Sequence, residues 1–156
     1  MPPPFSFSDF HPGIKLSAKW ITITEAHVVQ FAGLSGDYNP IHINDIFAKE
    51  SIFNSRIAHG ALIISLTIGD LSQFIMGTTI ALLEVHSKFL KPVKIGDTIH
   101  IETEVLEKVP SKKYNGGTVT FRHIVKNQSD EDVTVLESKI LISNGLATRN
   151  NVLRHD

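Results

Sequence analysis

The sequence contains no cysteine and carries little net charge. The absence of cysteine excludes disulfides, thiolate nucleophiles and cysteine-based zinc sites, and it fits a cytoplasmic protein. With 15 basic and 16 acidic residues the formal net charge is -1, so no global field recruits nucleic acid or an anionic membrane. An anionic ligand would therefore have to be held by a local cluster of charges.

The chain also lacks a long hydrophobic run. Its most apolar segment, residues 61–68, lies between His59 and Asp70 and is too short to span a bilayer, so we interpret it as part of a buried helix. The N-terminal stretch MPPPFSFSDF has neither the basic start nor the apolar run of a secretory signal. We therefore expect no membrane insertion.

The length of 156 residues and the 42% of hydrophobic residues fit one globular domain over residues 1–156. No repeat or linker divides the chain. Pro2, Pro3 and Pro4 indicate a loosely held N-terminal arm over residues 1–12. Residues 144–156 lose strand periodicity and are expected to form a C-terminal tail.

The first half of the chain predicts one strand followed by helices. The weak alternation of LSAKWITIT, residues 16–24, favours a first strand. Thr24 and Asn44 each precede a helical pattern in the manner of an N-cap, and Glu25 adds an acid to the first turn. Residues 60–75 are apolar on nearly every side, as expected for a helix surrounded by protein.

After Met76 the hydrophobic period changes to two, which predicts four long strands. The turn signals between them are KPVKIGD, PSKKYNGG and NQSDED. Adjacent strands joined by turns imply an antiparallel sheet. The economical arrangement is an α+β domain in which a curved sheet wraps around the apolar helix.

The stretch SGDYNPIH, residues 35–42, places a carboxylate, an amide and an imidazole around a proline. Pro40 disfavours helix at Asn39, so the chain leaves the preceding helix here and can bring Asp37 close to His42. Such a pair is suited to acid–base chemistry, with water as the reactant. The structural alternative is a polar turn whose side chains bond their own backbone.

A second motif, RIAHG, leads into the apolar helix at Gly60. A helix N-terminus offers unpaired amides, and the Gly60 N–H is suited to polarising a carbonyl that gains enolate character. The alternative is that Gly60 only allows close packing. We interpret His59 as structural.

Together these residues resemble the MaoC-like (R)-specific enoyl-CoA hydratases, which have the hot-dog fold. The resemblance rests on SGDYNPIH, on FA at 47–48, on IAHG at 57–60 and on FLKPVKIGDTI at 89–99. It runs from the first helix to the last strand. Asn44 stands where relatives often have aspartate, which can cap the helix equally well.

The resemblance implies a hot-dog domain that pairs with a second copy and acts on acyl-CoA thioesters without a metal or redox cofactor. Members add water to trans-2-enoyl-CoA to give (R)-3-hydroxyacyl-CoA, or catalyse the reverse dehydration. Asp37 and His42 would hold and activate the water, Asn39 would support the loop or the pair, and Gly60 would donate its N–H to the thioester oxygen. Which of Asp37 and His42 moves which proton stays open.

Two alternatives stay open at this point, a hot-dog acyl-CoA thioesterase and a non-catalytic acyl-CoA-binding module. The residues that bind coenzyme A are also open, because solvated lysines are commoner than phosphate ligands. Two sets of lysines qualify, namely Lys88, Lys91 and Lys94, and Lys108, Lys112 and Lys113.

Overall fold

The computed structural model describes residues 4–17 and 20–153, and its framework is an antiparallel sheet. The strands are β1 (Lys15–Ser17), β2 (Ile21–Thr22), β3 (Thr79–Phe89), β4 (Thr98–Pro110), β5 (Gly116–Lys126) and β6 (Asp132–Ser143). The helices are α1 (Glu25–Ser35), α2 (Pro40–Ile43), α3 (Asp45–Glu50), α4 (Gly60–Ser72) and α5 (Arg149–Val152), preceded by a single 3-10 turn, Phe7–Asp9.

The two predicted N-caps are confirmed. The Thr24 hydroxyl accepts a hydrogen bond from the His27 amide at 3.4 Å, and the Asn44 side chain accepts one from the Phe47 amide at 3.0 Å. Helix α1 then ends at Gly36, whose φ of 78° lies in the left-handed region that favours glycine. Local sequence therefore determines where α1 begins and ends.

Helix α4 begins at Gly60, as predicted, but it ends earlier than the apolar pattern indicates. After Ser72 the backbone tightens, with Phe74 bonding the Leu71 carbonyl and Ile75 bonding that of Ser72, each three residues back. The apolar pattern continues because Ile75 is still buried. None of the helices in the described ranges is both long and apolar enough to cross a membrane.

The four long strands are confirmed, but β3 and β4 do not pair with each other although they are consecutive. The strand order is β1-β4-β5-β6-β3, with β2 also on β4. The KPVKIGD segment is thus a crossover between distant strands and not a hairpin. Strand β3 pairs antiparallel with β6, which places it at one edge of the sheet.

The predicted first strand over residues 16–24 is two short strands. Leu16 of β1 lies opposite Thr103, and Ile21 of β2 lies opposite Ile99. The register along β4 slips by one residue between these two pairings, so one continuous ladder does not form. Residues 18 and 19 lie outside the described ranges.

Helix α4 packs on the sheet through two apolar clusters. The first joins the start of α4 to β4, β5 and β6, and the second joins its end to the other half of the same strands. Between the clusters lies a buried polar row, in which His123 contacts the Thr103 hydroxyl at 2.8 Å and the Ser138 hydroxyl at 2.9 Å. The sheet thus covers α4 over most of its length.

The prediction of a loosely held N-terminal arm is wrong for residues 5–10. Phe7 and Phe10 are buried in the second cluster, and the Phe10 ring meets Phe121 edge-on at 5.3 Å. The Phe5 amide also donates to the Phe74 carbonyl at 2.6 Å. The prolines at 2 and 3, on which the prediction depends, lie outside the described residues.

The C-terminal segment loses strand structure, as expected, but it packs back on the domain. The Ala147 amide donates to the Gly77 carbonyl at 2.7 Å. The Asn115 amide, in the turn between β4 and β5, donates to the Val152 carbonyl at 2.9 Å. Residues 144–153 therefore cover the turn, and residues 154–156 lie outside the described ranges.

Candidate active site

The loop between α1 and α2 carries the polar stretch predicted to be reactive. Pro40 is the first residue of α2, and the Asn39 side chain caps that helix by accepting from the Ile41 amide at 3.3 Å. The Asn39 amide in turn donates to the Asp37 carboxylate at 3.2 Å. Asn39 thus organises the loop and holds one oxygen of Asp37, while its role in catalysis stays a prediction.

Asp37 and His42 come together in the fold. The Asp37 Oδ2 atom lies 3.8 Å from His42 Nε2, with the His42 ring buried and Asp37 about half exposed. His42 Nδ1 lies 2.8 Å from the Ile57 carbonyl oxygen, which can only accept, so Nδ1 carries a proton and Nε2 is the acceptor of the neutral ring. Two acceptors therefore face one position, where a water molecule can donate a hydrogen to each.

Gly60 lies beside this pair as the first residue of α4. Its N–H has no partner within the helix, because the first amides of any helix have none. A Cβ atom built on Gly60 would lie 2.7 Å from Cζ of Phe89, so a larger residue there would have to displace that ring. Gly60 therefore packs closely against a neighbour, as the structural interpretation predicts. Its amide is also suited to binding an oxyanion, so both interpretations of Gly60 are compatible with the structure.

His42 and Gly60 line the same pocket, which has a volume of about 420 Å³. Its other walls are mainly apolar and include Phe53, Ile57, Ile63, Phe89, Leu90 and Val93. A pocket with an apolar body and a polar end is suited to an acyl chain whose carbonyl end reacts. Ile57, Phe89, Leu90 and Val93 belong to the motifs IAHG and FLKPVKIGDTI. Phe53 and Ile63 give no signal in the sequence, because core and pocket residues look alike there.

His59, interpreted from sequence as structural, is also part of the site. Its Nε2 lies 3.0 Å from the Asp37 carbonyl oxygen, and its ring stacks on His42 with centroids 3.8 Å apart. The sequence could not reveal these contacts, since 22 residues separate His59 from Asp37 along the chain.

Asp37, His42 and His59 form the one group among the described residues whose donor atoms could hold a metal, all within 4.8 Å of one another. The two rings, however, are stacked at an interplanar angle of 25°. Ring-nitrogen lone pairs lie in the ring plane, so stacked rings do not aim them at one ion about 2 Å from both. The arrangement suits water better, and the absence of a metal from the reaction stays a prediction.

The two candidate lysine sets lie at different ends of the sheet. Lys91 lines the pocket and forms an ion pair with Glu131. Lys108 instead lies over the Phe7 ring at 4.6 Å, beside the second cluster. The set that contains Lys91 is therefore the better placed to meet phosphates of a ligand in the pocket.

Comparison with known proteins places the sequence motifs in a family. The model of the MaoC like domain family matches residues 9–127. An (R)-specific enoyl-CoA hydratase of Rhodospirillum rubrum is 40% identical over 101 residues, which are 65% of this chain and 67% of that protein. Three further curated relatives are matched over only part of their length, and the chain spans 29%, 58% and 60% of them.

Solved structures are similar over most of the chain. An unliganded (R)-hydratase from Pseudomonas aeruginosa is 32% identical, with a TM-score of 0.78 over 89% of this chain and 86% of that one. A Mycobacterium tuberculosis protein with a double hotdog fold has a TM-score of 0.80 over 97% of this chain and 48% of its own. At 16% identity the latter shows the fold alone, and it confirms the predicted hot-dog architecture.

Proposed function

Because this chain belongs to the MaoC-like domain family, we propose that it is a hydro-lyase acting on an acyl-CoA thioester. It adds water to trans-2-enoyl-CoA to give (R)-3-hydroxyacyl-CoA, or catalyses the reverse dehydration. One observation carries the proposal: His42, which pairs with Asp37, lines a mainly apolar pocket together with Gly60. The hydratase names of the similar proteins support it.

In the proposed hydration, the water held between Asp37 and His42 forms a bond from its oxygen to C3 of the enoyl thioester. One water proton passes to the pair, and the electron pair of the C2–C3 bond moves towards the thioester oxygen. The Gly60 N–H and the N-terminus of α4 stabilise the resulting enolate. Return of the proton to C2 completes the addition, so no other co-reactant is consumed.

The acyl chain of the substrate extends into the apolar body of the pocket. In this pose the carbonyl oxygen lies near Gly60, and C3 lies near the Asp37–His42 pair. The coenzyme A moiety leaves past Lys91 at the pocket wall. No metal or redox cofactor is proposed, since the reaction needs only proton transfer and oxyanion stabilisation.

We also propose that the functional unit is a homodimer formed through β3. This strand is at the end of the sheet order, and Leu82, Leu83 and Phe89 on it are all about half exposed. An edge strand presents unpaired backbone N–H and C=O groups, which are a template for pairing with another chain. A second copy of β3 would satisfy those groups and cover these side chains.

The proposal is tested by mixing the protein with crotonyl-CoA and following loss of the conjugated enoyl absorbance, with chiral analysis of the product. Asp37→Asn and His42→Ala should each lower kcat on the order of 100-fold or more, the usual contribution of a positioned acid or base. Asp130→Asn and His11→Ala, at exposed positions elsewhere, should keep the wild-type rate.

Three outcomes would overturn the proposal. Folded Asp37→Asn and His42→Ala variants that hydrate crotonyl-CoA at the wild-type rate would make SGDYNPIH an ordinary turn. Release of free thiol without hydration would indicate a thioesterase. Tight binding of enoyl-CoA without turnover, over short, long and branched acyl chains, would indicate a binding module.

A further inference from the structure

His59 lies between the loop that carries Asp37, the ring of His42 and the amide of Gly60. Its ring is almost fully buried, with 2% of the residue exposed. His59 occupies the N-cap position of α4, yet its side chain makes no cap hydrogen bond to that helix. The ring is therefore turned away from the helix and towards the loop.

The ring holds the backbone of Asp37. Its Nε2 lies 3.0 Å from the Asp37 carbonyl oxygen, and a carbonyl oxygen only accepts, so Nε2 carries the proton. The lone pair is then on Nδ1, which is buried and has no hydrogen-bond partner within the described residues.

The bond to His59 ties the loop to α4. Other hydrogen bonds of the Asp37 segment are local, such as those from the Asp37 amide to the Ser35 hydroxyl and from the Asn39 amide to the Asp37 carboxylate. His59 instead connects Asp37 to the residue directly before Gly60. The His59 side chain therefore links the Asp37 backbone to the start of α4.

The same ring also restrains His42. The two imidazoles stack with centroids 3.8 Å apart and an interplanar angle of 25°, and Phe31 contacts the His59 ring at 5.0 Å. The His42 ring is thus fixed both by its bond to the Ile57 carbonyl and by the His59 face. The lone pair on His42 Nε2 is therefore kept pointing towards Asp37.

From these contacts we propose that His59 is a positioning residue, which sets the Asp37–His42 pair and the Gly60 amide at the separation that the reaction requires. The inference rests on the proposed hydratase function. Within it, the hydrogen bond from Nε2 to the Asp37 carbonyl contributes more than the ring stack, because it is the link that reaches the loop from α4.

Two substitutions separate the hydrogen bond from the stack. His59→Phe keeps a ring against His42 and removes the donor, whereas His59→Gln removes the ring and keeps an N–H at a similar reach. We expect His59→Phe to lower kcat for crotonyl-CoA on the order of 100-fold, as for a reacting group displaced by about 1 Å, with KM changed less than about 3-fold. His59→Gln should recover most of that loss.

Thr67→Val is the matched control. Thr67 is buried in the same helix, and its hydroxyl donates to the Ile63 carbonyl, so its loss lowers stability without touching the loop. This variant should keep the wild-type kcat. A folded His59→Phe protein with wild-type kcat, or one whose KM rises while kcat stays constant, would overturn the inference.

A second measurement separates this inference from the proposed function. Nitrogen-15 NMR of the histidine rings should show the Nε2–H form of His59, and His59→Phe should shift the His42 ring nitrogens and the Asn39 amide. If those shifts occur but the wild-type protein hydrates no enoyl-CoA, the proposed function is overturned and the positioning role of His59 is not. Unchanged His42 and Asn39 signals in His59→Phe would overturn the positioning role whatever the activity.

Discussion

His123 is a fully buried imidazole in the middle of the sheet, away from the proposed site. Its two ring nitrogens contact the hydroxyls of Thr103 and Ser138, and the neighbouring side chains of both apolar clusters exclude water. Burial lowers the pKa of His123 to about 4, because the imidazolium form loses its hydration in this environment. The ring is therefore neutral in the folded domain at neutral pH.

This burial makes the stability depend on pH. Between pH 6.5 and 4 the unfolded chain binds a proton at His123 and the folded domain does not, so the free energy of unfolding falls as the pH falls. Over that window the fall is about 3 kcal/mol, and below pH 4 the contribution is constant. Urea unfolding at several pH values measures it.

His123→Gln should reduce that slope, since glutamine does not titrate, even if the variant is less stable at pH 7. His11→Gln, which removes an exposed histidine, is the control for the substitution itself. If the slope between pH 6.5 and 4 were the same in His123→Gln as in the wild type, the low pKa would not be the cause.

Apart from Gly60, which was predicted as the start of the apolar helix, single residues of the site were predictable only where they are close in sequence. Asp37, Asn39 and His42 lie within six positions, so the turn forced by Pro40 was enough to bring them together. Their contacts to the Ile57 carbonyl and to His59 cross 15 and 22 residues. No local rule indicates contacts at that range, and a histidine in an apolar segment is typical of a core.

Helices α1 and α3 are held together by one guanidinium group. Arg56 donates from both terminal nitrogens to Glu25 of α1 and from Nε to Asp45 of α3, the latter at 2.7 Å. The side chain is largely buried, and its pKa is raised by the hydrogen bond to Glu25. The loop with Asp37 lies between these two helices along the chain.

Arg56→Lys should lower the free energy of unfolding, because an ammonium group cannot reach both carboxylates with the same geometry. We expect about 1 kcal/mol, since both carboxylates are exposed and partly screened by water. Urea denaturation measures the loss. Arg122→Lys, at an exposed pair with Glu137 on the sheet surface, should change stability by less than half as much, and equal losses would contradict the bridging role.

Elements whose limits depend on neighbouring residues were predictable, and elements that depend on distant pairing were not. Thr24 and Asn44 each cap a helix by accepting a hydrogen bond from the amide three residues further along the chain. A pattern of that length is visible in the sequence itself. The pairing of β3 with β6 depends on how the crossover returns, and the division of the first strand depends on its register along β4. The alternation of hydrophobic residues identifies a strand, but it does not indicate which strand it pairs with or in which register.

At the scale of the whole molecule, the exposed edge of β3 predicts the oligomeric state. The dimer should have a mass of about 35 kDa, twice the 17.3 kDa of one chain, as measured by sedimentation. Leu83→Lys should shift it towards the monomer, because a charge on an edge strand opposes pairing.

Val109→Lys is the control for that experiment. Val109 is exposed to a similar extent but lies at the end of β4, away from the β3 edge. It should leave the dimer intact. A wild-type protein that sediments as a monomer at micromolar concentration would contradict the dimer. A dimer unaffected by Leu83→Lys would show that the chains associate through another surface.

The crossover after β3 also affects how the protein is made. During translation β3 emerges well before β6, the strand that it pairs with. At about 5–20 residues per second, the interval between synthesis of Phe89 and of Asp132 lasts about 2 to 9 seconds. Throughout that interval an apolar strand has no native neighbour on either side, which makes the nascent chain a client for chaperones that bind extended hydrophobic segments.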